Sequence, residues 1–134
     1  MPESSLPRPL RVLIAEDCPD TRATLRALLL AWGHEVAVAA DGAAAVELAG
    51  TFGPDVCLLD IGMPRLDGYQ AAQQIRELPG LRRAVLVAVT AYGREEDVRQ
   101  ALASGFDLHL VKASDPGDLE RMLECCRRPG HLVG

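Results

Sequence analysis

Five times along this chain a short apolar run is followed by a segment whose apolar residues recur at helical spacing, and few architectures accept that alternation. The runs are RVLIA (11–15), HEVAVAA (34–40), DVCLLD (55–60), AVLVAVT (84–90) and DLHLVK (107–112). Three are nearly continuous in apolar residues, as strands covered on both faces are. The segments between them predict helices from Pro19 to just before Gly33 and over 43–51, 68–77, 94–104 and 116–127. Pro19 suits the first helical position, and Leu25, Leu28, Leu29 and Trp32 form an inner stripe behind it. Leu119, Met122, Leu123 and Cys126 make the same kind of stripe on the last helix. Strand-helix units joined by right-handed crossovers build an open parallel α/β sheet with helices on both faces. In such sheets ligands bind beyond the carboxyl ends of the strands, near the point where the strand order reverses.

A length of 134 residues suits one domain, expected over 10–127, with 1–9 and 128–134 as flexible ends. The net charge of -5, with one Trp, two Tyr and two Phe, supplies neither the basic surface nor the stacking platform of a nucleic-acid binder. No basic-then-apolar leader opens the chain, and no apolar stretch approaches the roughly 18 residues of a membrane span. A cytoplasmic protein without membrane contact is expected. Cys18, Cys57, Cys125 and Cys126 lack zinc-type spacing and read as free thiols, the vicinal pair diverging by about 100° on a helix. His34, His109 and His131 lie far apart and read as packing or surface residues.

The strand ends carry the chemistry. Strand one runs into Glu16 and Asp17, strand three ends in Asp60, strand four in Thr90 and strand five in Lys112. Carboxylates gathered at one edge repel, by about 4 kcal/mol for two unit charges ~4 Å apart at an effective dielectric near 20. A cation must offset that, and an all-oxygen donor set points to Mg²⁺. Helix capping by Asp17 or Asp20 is the competing explanation for those acids, but nothing comparable explains Asp60, which runs into a loop. Lys112 is the single lysine among fourteen basic residues, and a compact ammonium on a flexible stem suits one phosphoryl oxygen in a tight mouth.

In order along the chain, ED (16–17), LLDIGMPRLDG (58–68), VTAYG (89–93) and LVKA (110–113) resemble the signature of receiver (response-regulator) domains of bacterial two-component signalling, over residues 11–127. The resemblance implies a flavodoxin-like, doubly wound five-stranded sheet of order 2-1-3-4-5 in a three-layer sandwich. It implies that Asp60 is the phosphoacceptor, charged from a phosphohistidine on a histidine kinase or histidine phosphotransfer protein. Asp17, Asp60 and the Gly62 carbonyl would bind Mg²⁺, with Glu16 holding an ion-bound water. Thr90, Lys112 and the amides of Gly62 and Ala91 would receive the phosphoryl oxygens. Pro64 and the Asp67-Gly68 pair would shape the loop and start helix three, with Asp67 as its cap. His109 and Tyr92 would carry the switch toward a downstream protein partner, with helix four, strand five and helix five as an output face that also leaves room for a homodimer.

By the same resemblance the protein is a signalling phosphoacceptor and not an enzyme, beyond slow self-phosphorylation and autodephosphorylation. Three departures stand out: His109 where Tyr or Phe is usual, Tyr92 where its ring would shield the acyl phosphate, and Ala113 where Pro follows the lysine. The last predicts a strained cis bond or a relaxed trans loop at 112–115. The competing readings are a pseudo-receiver interaction module without phosphotransfer and a receiver cut from a hybrid histidine kinase. A flavodoxin is disfavoured because EDCPD would repel phosphate, and a dehalogenase-type phosphatase because Gly62 stands where a second Asp is needed.

Overall fold

The structure is a computed structural model describing residues 9–61, 67–81, 83–90, 95–111 and 116–127, the side chains of 95–98 and 127 excepted. In chain order the elements are β1 (Arg11–Ala15), α1 (Pro19–Ala31), β2 (Glu35–Ala39), α2 (Gly42–Phe52), β3 (Val56–Asp60), α3 (Gly68–Arg76), β4 (Val85–Thr90), α4 (Glu95–Ala103), β5 (Leu108–Val111) and α5 (Pro116–Arg127). Every expected strand and helix is present, with ends that differ by a residue or so because the apolar pattern and the hydrogen-bond ladder do not stop together. All strand pairs are parallel, in the order β2-β1-β3-β4-β5.

Side-chain alternation along the strands divides the core into two layers. Val12, Ile14, Val56, Leu58, Val85, Val87 and Val89 face one side, where Leu29 of α1 and Leu119 and Leu123 of α5 cover them, with Leu25, Trp32, Met122 and Cys126 packed at the margin. Leu13, Ala15, Cys57, Leu59, Leu86 and Ala88 face the other, under Ala45 and Ala49 of α2, Ala71, Ala72 and Ile75 of α3, and Ala101 of α4. Alanines dominate the second layer, and side chains that small allow a helix to approach a sheet closely. The result is the three-layer sandwich, and β3 and β4 at its centre are buried along their whole lengths.

Local chemistry sets the helix ends. Asp41 caps α2 by accepting from the Ala44 amide at 2.8 Å, and Gly53 closes it in the left-handed region at φ 66. Asp67 and Gln70 form a capping box at the start of α3, as expected for Asp67. At the opposite end of the sheet from the acidic residues, Arg76 donates to the carbonyls of Ala84 and Gly105 and to Asp107, which also accepts from the Leu86 amide. That guanidinium ties α3 to the entries of β4 and β5. Among the described residues no helix is long and apolar enough to cross a membrane.

Candidate functional site

The strand order reverses between β1 and β3, and the acids expected to act together lie at that point. Ala15 pairs with Leu59 in register, which brings Glu16 level with Asp60 across the neighbouring strands β1 and β3. Glu16, Asp17 and Asp60 each offer a carboxylate oxygen, and these oxygens lie within 4.8 Å of one another. Glu16 is 1% exposed and Asp60 5%, whereas Asp17 is exposed, so the cluster has a dry floor and an open rim. At that spacing and an effective dielectric near 20, each pair of charges repels by about 3 to 4 kcal/mol.

Capping does not account for Asp17. The N-cap position of α1 falls on Cys18, which makes no side-chain cap bond, with Pro19 following it and Asp20 already in the first turn. The turn into α1 is held instead by Glu16, whose Oε2 accepts from the Cys18 amide at 3.0 Å and whose carbonyl accepts from Arg22 at 2.8 Å. Glu16 is thereby aimed by its own backbone neighbourhood. Among the described residues the set is three carboxylates, and such oxygen donors fit a hard divalent cation such as Mg²⁺ and suit zinc poorly.

Thr90 ends β4 at the same edge and is buried to 6% exposure. Its Oγ1 lies 2.7 Å from Nε2 of His109 on the neighbouring strand. His109 pairs in register with Ala88, so its ring reaches two residues toward the strand ends to meet the Thr90 hydroxyl. Leu108 and Leu110 pack into the layer under α1 and α5, which puts His109 on the opposite face, with α4.

Sequence reasoning placed Gly68 at a turn but missed why it is glycine. A Cβ there would stand 2.6 Å from the Asp60 carbonyl oxygen and 2.9 Å from Ile61 Cα. The chain leaving Asp60 therefore returns to press on its own backbone, a contact between residues eight apart for which the Asp-Gly dipeptide was the sole hint. Gly62, Ala91, Tyr92 and Lys112, together with Pro64, lie outside the described residues, as does the Lys112-Ala113 peptide. Of the histidines, His34 is buried, with Nδ1 accepting from the Leu10 amide at 3.0 Å, a packing role as expected. His131 lies outside the described residues. All four cysteines are free.

Comparison with known proteins gives a consistent likeness. A family model described as the response regulator receiver domain matches residues 12–124. The chain is 40% identical over 117 residues to the transcriptional regulatory protein PdtaR of Mycobacterium tuberculosis, covering 87% of this chain and 56% of that protein. Across the first curated relatives, the share of their length that the chain spans runs from 13% to 86%. Among solved structures it is similar to the receiver domain of the sensor histidine kinase PA1611 of Pseudomonas aeruginosa, which holds a magnesium ion in its active-site cleft (TM-score 0.80, 32% identity, 87% of this chain and 96% of that one). It is also similar to a co-crystal structure from Saccharomyces cerevisiae, in which the histidine phosphotransfer protein Ypd1 is bound to the receiver domain of Ssk1 (TM-score 0.84, 26% identity, 91% of each chain).

Proposed function

Because the chain belongs to the response regulator receiver domain family, we propose that it accepts a phosphoryl group on Asp60 from a phosphohistidine of a histidine kinase or histidine phosphotransfer protein. A carboxylate oxygen of Asp60 attacks phosphorus, the P–N bond breaks, and the electron pair leaves with the partner's imidazole. The product is an acyl phosphate. Such a transfer asks the protein chiefly for positioning and for neutralisation of charge. Glu16, Asp17 and Asp60, with the Gly62 carbonyl, would hold Mg²⁺, which when bound supplies positive charge against the carboxylates and the incoming oxygens. Thr90 would present its hydroxyl to one phosphoryl oxygen, Lys112 its ammonium to another, and the amides of Gly62 and Ala91 would complete the cradle. Burial of Asp60 keeps competing water from one side of it.

The observation that carries this reading is the convergence of three carboxylates at the β1/β3 reversal, with Asp60 buried and Thr90 ending the adjacent strand. Tyr92 and His109 would pass the change to the surface of α4, β5 and α5, where a downstream protein or a second copy of the chain docks. A cytoplasmic location belongs to the same proposal. The test is intact-mass measurement after incubation with Mg²⁺ and acetyl phosphate. One added phosphoryl group is expected in the native protein and none in Asp60→Asn. A native protein that gains no mass, or an Asp60→Asn variant that still does, ends the proposal and leaves a protein-interaction module as the alternative.

A further inference from the structure

The bond between Thr90 Oγ1 and His109 Nε2, at 2.7 Å, can be made in two ways. A hydroxyl has one hydrogen to donate, and a neutral imidazole carries its hydrogen on one of two nitrogens. Either the Thr90 hydroxyl donates to a bare Nε2, with the ring hydrogen on Nδ1, or Nε2–H donates to Oγ1 and the hydroxyl hydrogen is released to point elsewhere. Only the second form lets Thr90 donate to an anionic oxygen at Asp60 while keeping its bond to His109.

We propose that His109 is a positioning residue for the Thr90 hydroxyl, and that arrival of a phosphoryl group on Asp60 is coupled to movement of the ring hydrogen of His109 from Nδ1 to Nε2. The inference rests on the phosphoacceptor reading above. In the resting chain the hydroxyl donates to Nε2, which turns its hydrogen away from the acceptor. In the loaded chain the hydroxyl turns to the phosphoryl oxygen, Nε2 takes up a proton, and Nδ1 gives one to water, so the net charge of the ring is unchanged. His109 is half-buried, which leaves the ring open to that exchange. A phenylalanine at this position cannot make the bond, and a tyrosine has no second nitrogen to hold the alternative hydrogen. Because linkage is reciprocal, anything docking near β5 that favours the Nε2–H form also favours the phosphorylated state.

The test uses protein labelled with ¹⁵N in its histidine rings, with His109 assigned by comparison with His109→Gln. Spectra are recorded with Mg²⁺ alone and then with Mg²⁺ and beryllofluoride, a phosphoryl analogue whose seating is followed by its fluorine signals. The expected result is seated fluorine together with a shift of His109 Nε2 from the bare to the protonated range. His34, whose Nδ1 accepts from the Leu10 amide, serves as an unmoving reference. Seated fluorine with Nε2 in the same form before and after overturns this inference and leaves the phosphoacceptor reading standing. Failure of the fluoride to seat removes both. In a second arm, His109→Phe should weaken beryllofluoride binding about fivefold, while His109→Gln, whose amide can still donate to Oγ1, should stay within about twofold of the native value. Equal affinities for all three proteins would also overturn it.

Discussion

Gly68 lies against the main chain of Asp60 so closely that a Cβ at Gly68 would stand 2.6 Å from the Asp60 carbonyl oxygen. The atoms it would meet are backbone, and backbone at the end of a fully buried strand has no rotamer into which to retreat. The candidate acceptor is thus aimed partly by a residue that lacks a side chain.

Gly68→Ala is therefore expected to cost about 1 to 3 kcal/mol of stability by overpacking and to slow phosphoryl uptake from acetyl phosphate. Gly50 provides the contrast, being an exposed position within α2 with nothing within 4 Å of its would-be Cβ. Gly50→Ala should gain about 0.5 to 1 kcal/mol through helix propensity and leave uptake unchanged. Urea melts of both variants check the pair; a Gly68→Ala protein as stable as the native one would show that the Asp60 backbone yields freely.

Carboxylates gathered within 4.8 Å of one another are expected to repel, and two changes should relieve them. Asp60→Asn removes one charge from a set of three within 4.8 Å, so in EDTA it should melt later than the native chain, by the equivalent of about 1 to 3 kcal/mol. Addition of Mg²⁺ should raise the native midpoint and raise that of Asp60→Asn much less. Thermal melts with and without Mg²⁺ read both effects, and identical Mg²⁺ responses in the two proteins would contradict the assigned ligand set.

Thiol chemistry should separate the cysteines and destabilise the fold in alkali. Burial pushes the Cys57 thiol up to about 12, and burial, aided by Cys125 and Asp107, pushes Cys126 up to about 11, from an ordinary 9.0. Hydrogen bonding with the Thr21 side chain holds the exposed Cys18 thiol below its ordinary value. A thiolate-selective reagent should therefore label Cys18 first and reach Cys57 only on unfolding. Well below pH 9 the Cys57 and Cys126 thiols are protonated in both states and their contribution to stability is fully present. Above it the unfolded chain releases protons that the folded chain retains, so stability falls as pH rises from about 9 toward the folded values. Denaturant midpoints measured from pH 8 to 11 should fall, and the fall should be shallower in Cys57→Val.

Arg76 joins three segments through one guanidinium, and its ion pair with Asp107 is a third or less exposed on each side. Arg76→Ala should cost about 2 kcal/mol, more than a typical surface pair, because two backbone carbonyls lose a charged donor as well. Arg76→Lys should recover only part, since an ammonium cannot span three acceptors in a plane. A thermal shift no larger than that of an exposed control such as Arg26→Ala would show the contacts to be replaceable by water.

Much of this molecule was legible one segment at a time. The run AVLVAVT is apolar at nearly every position and became a strand buried along its length, and the stripe Leu119, Met122, Leu123 and Cys126 became the inner face of α5. Periodicity is set by residues two to four apart, so the strands, the helices and their inward faces are properties the sequence determines by itself. The same holds for the Asp67 cap and for the oxygen-only donor set that Glu16, Asp17 and Asp60 bring to the ends of β1 and β3.

What only the tertiary structure decided are the meetings between segments. That Cys18 and not Asp17 takes the N-cap, that Glu16 turns inward while Asp17 stays at the rim, and that Thr90 meets the imidazole of His109 follow from strand register and from how the chain enters α1. Register is fixed by ladder hydrogen bonds and face burial summed over partners tens of residues away, and no local pattern encodes it. The glycine at position 68 is the plainest case: a turn in the sequence, and in the fold the space that the backbone of Asp60 occupies.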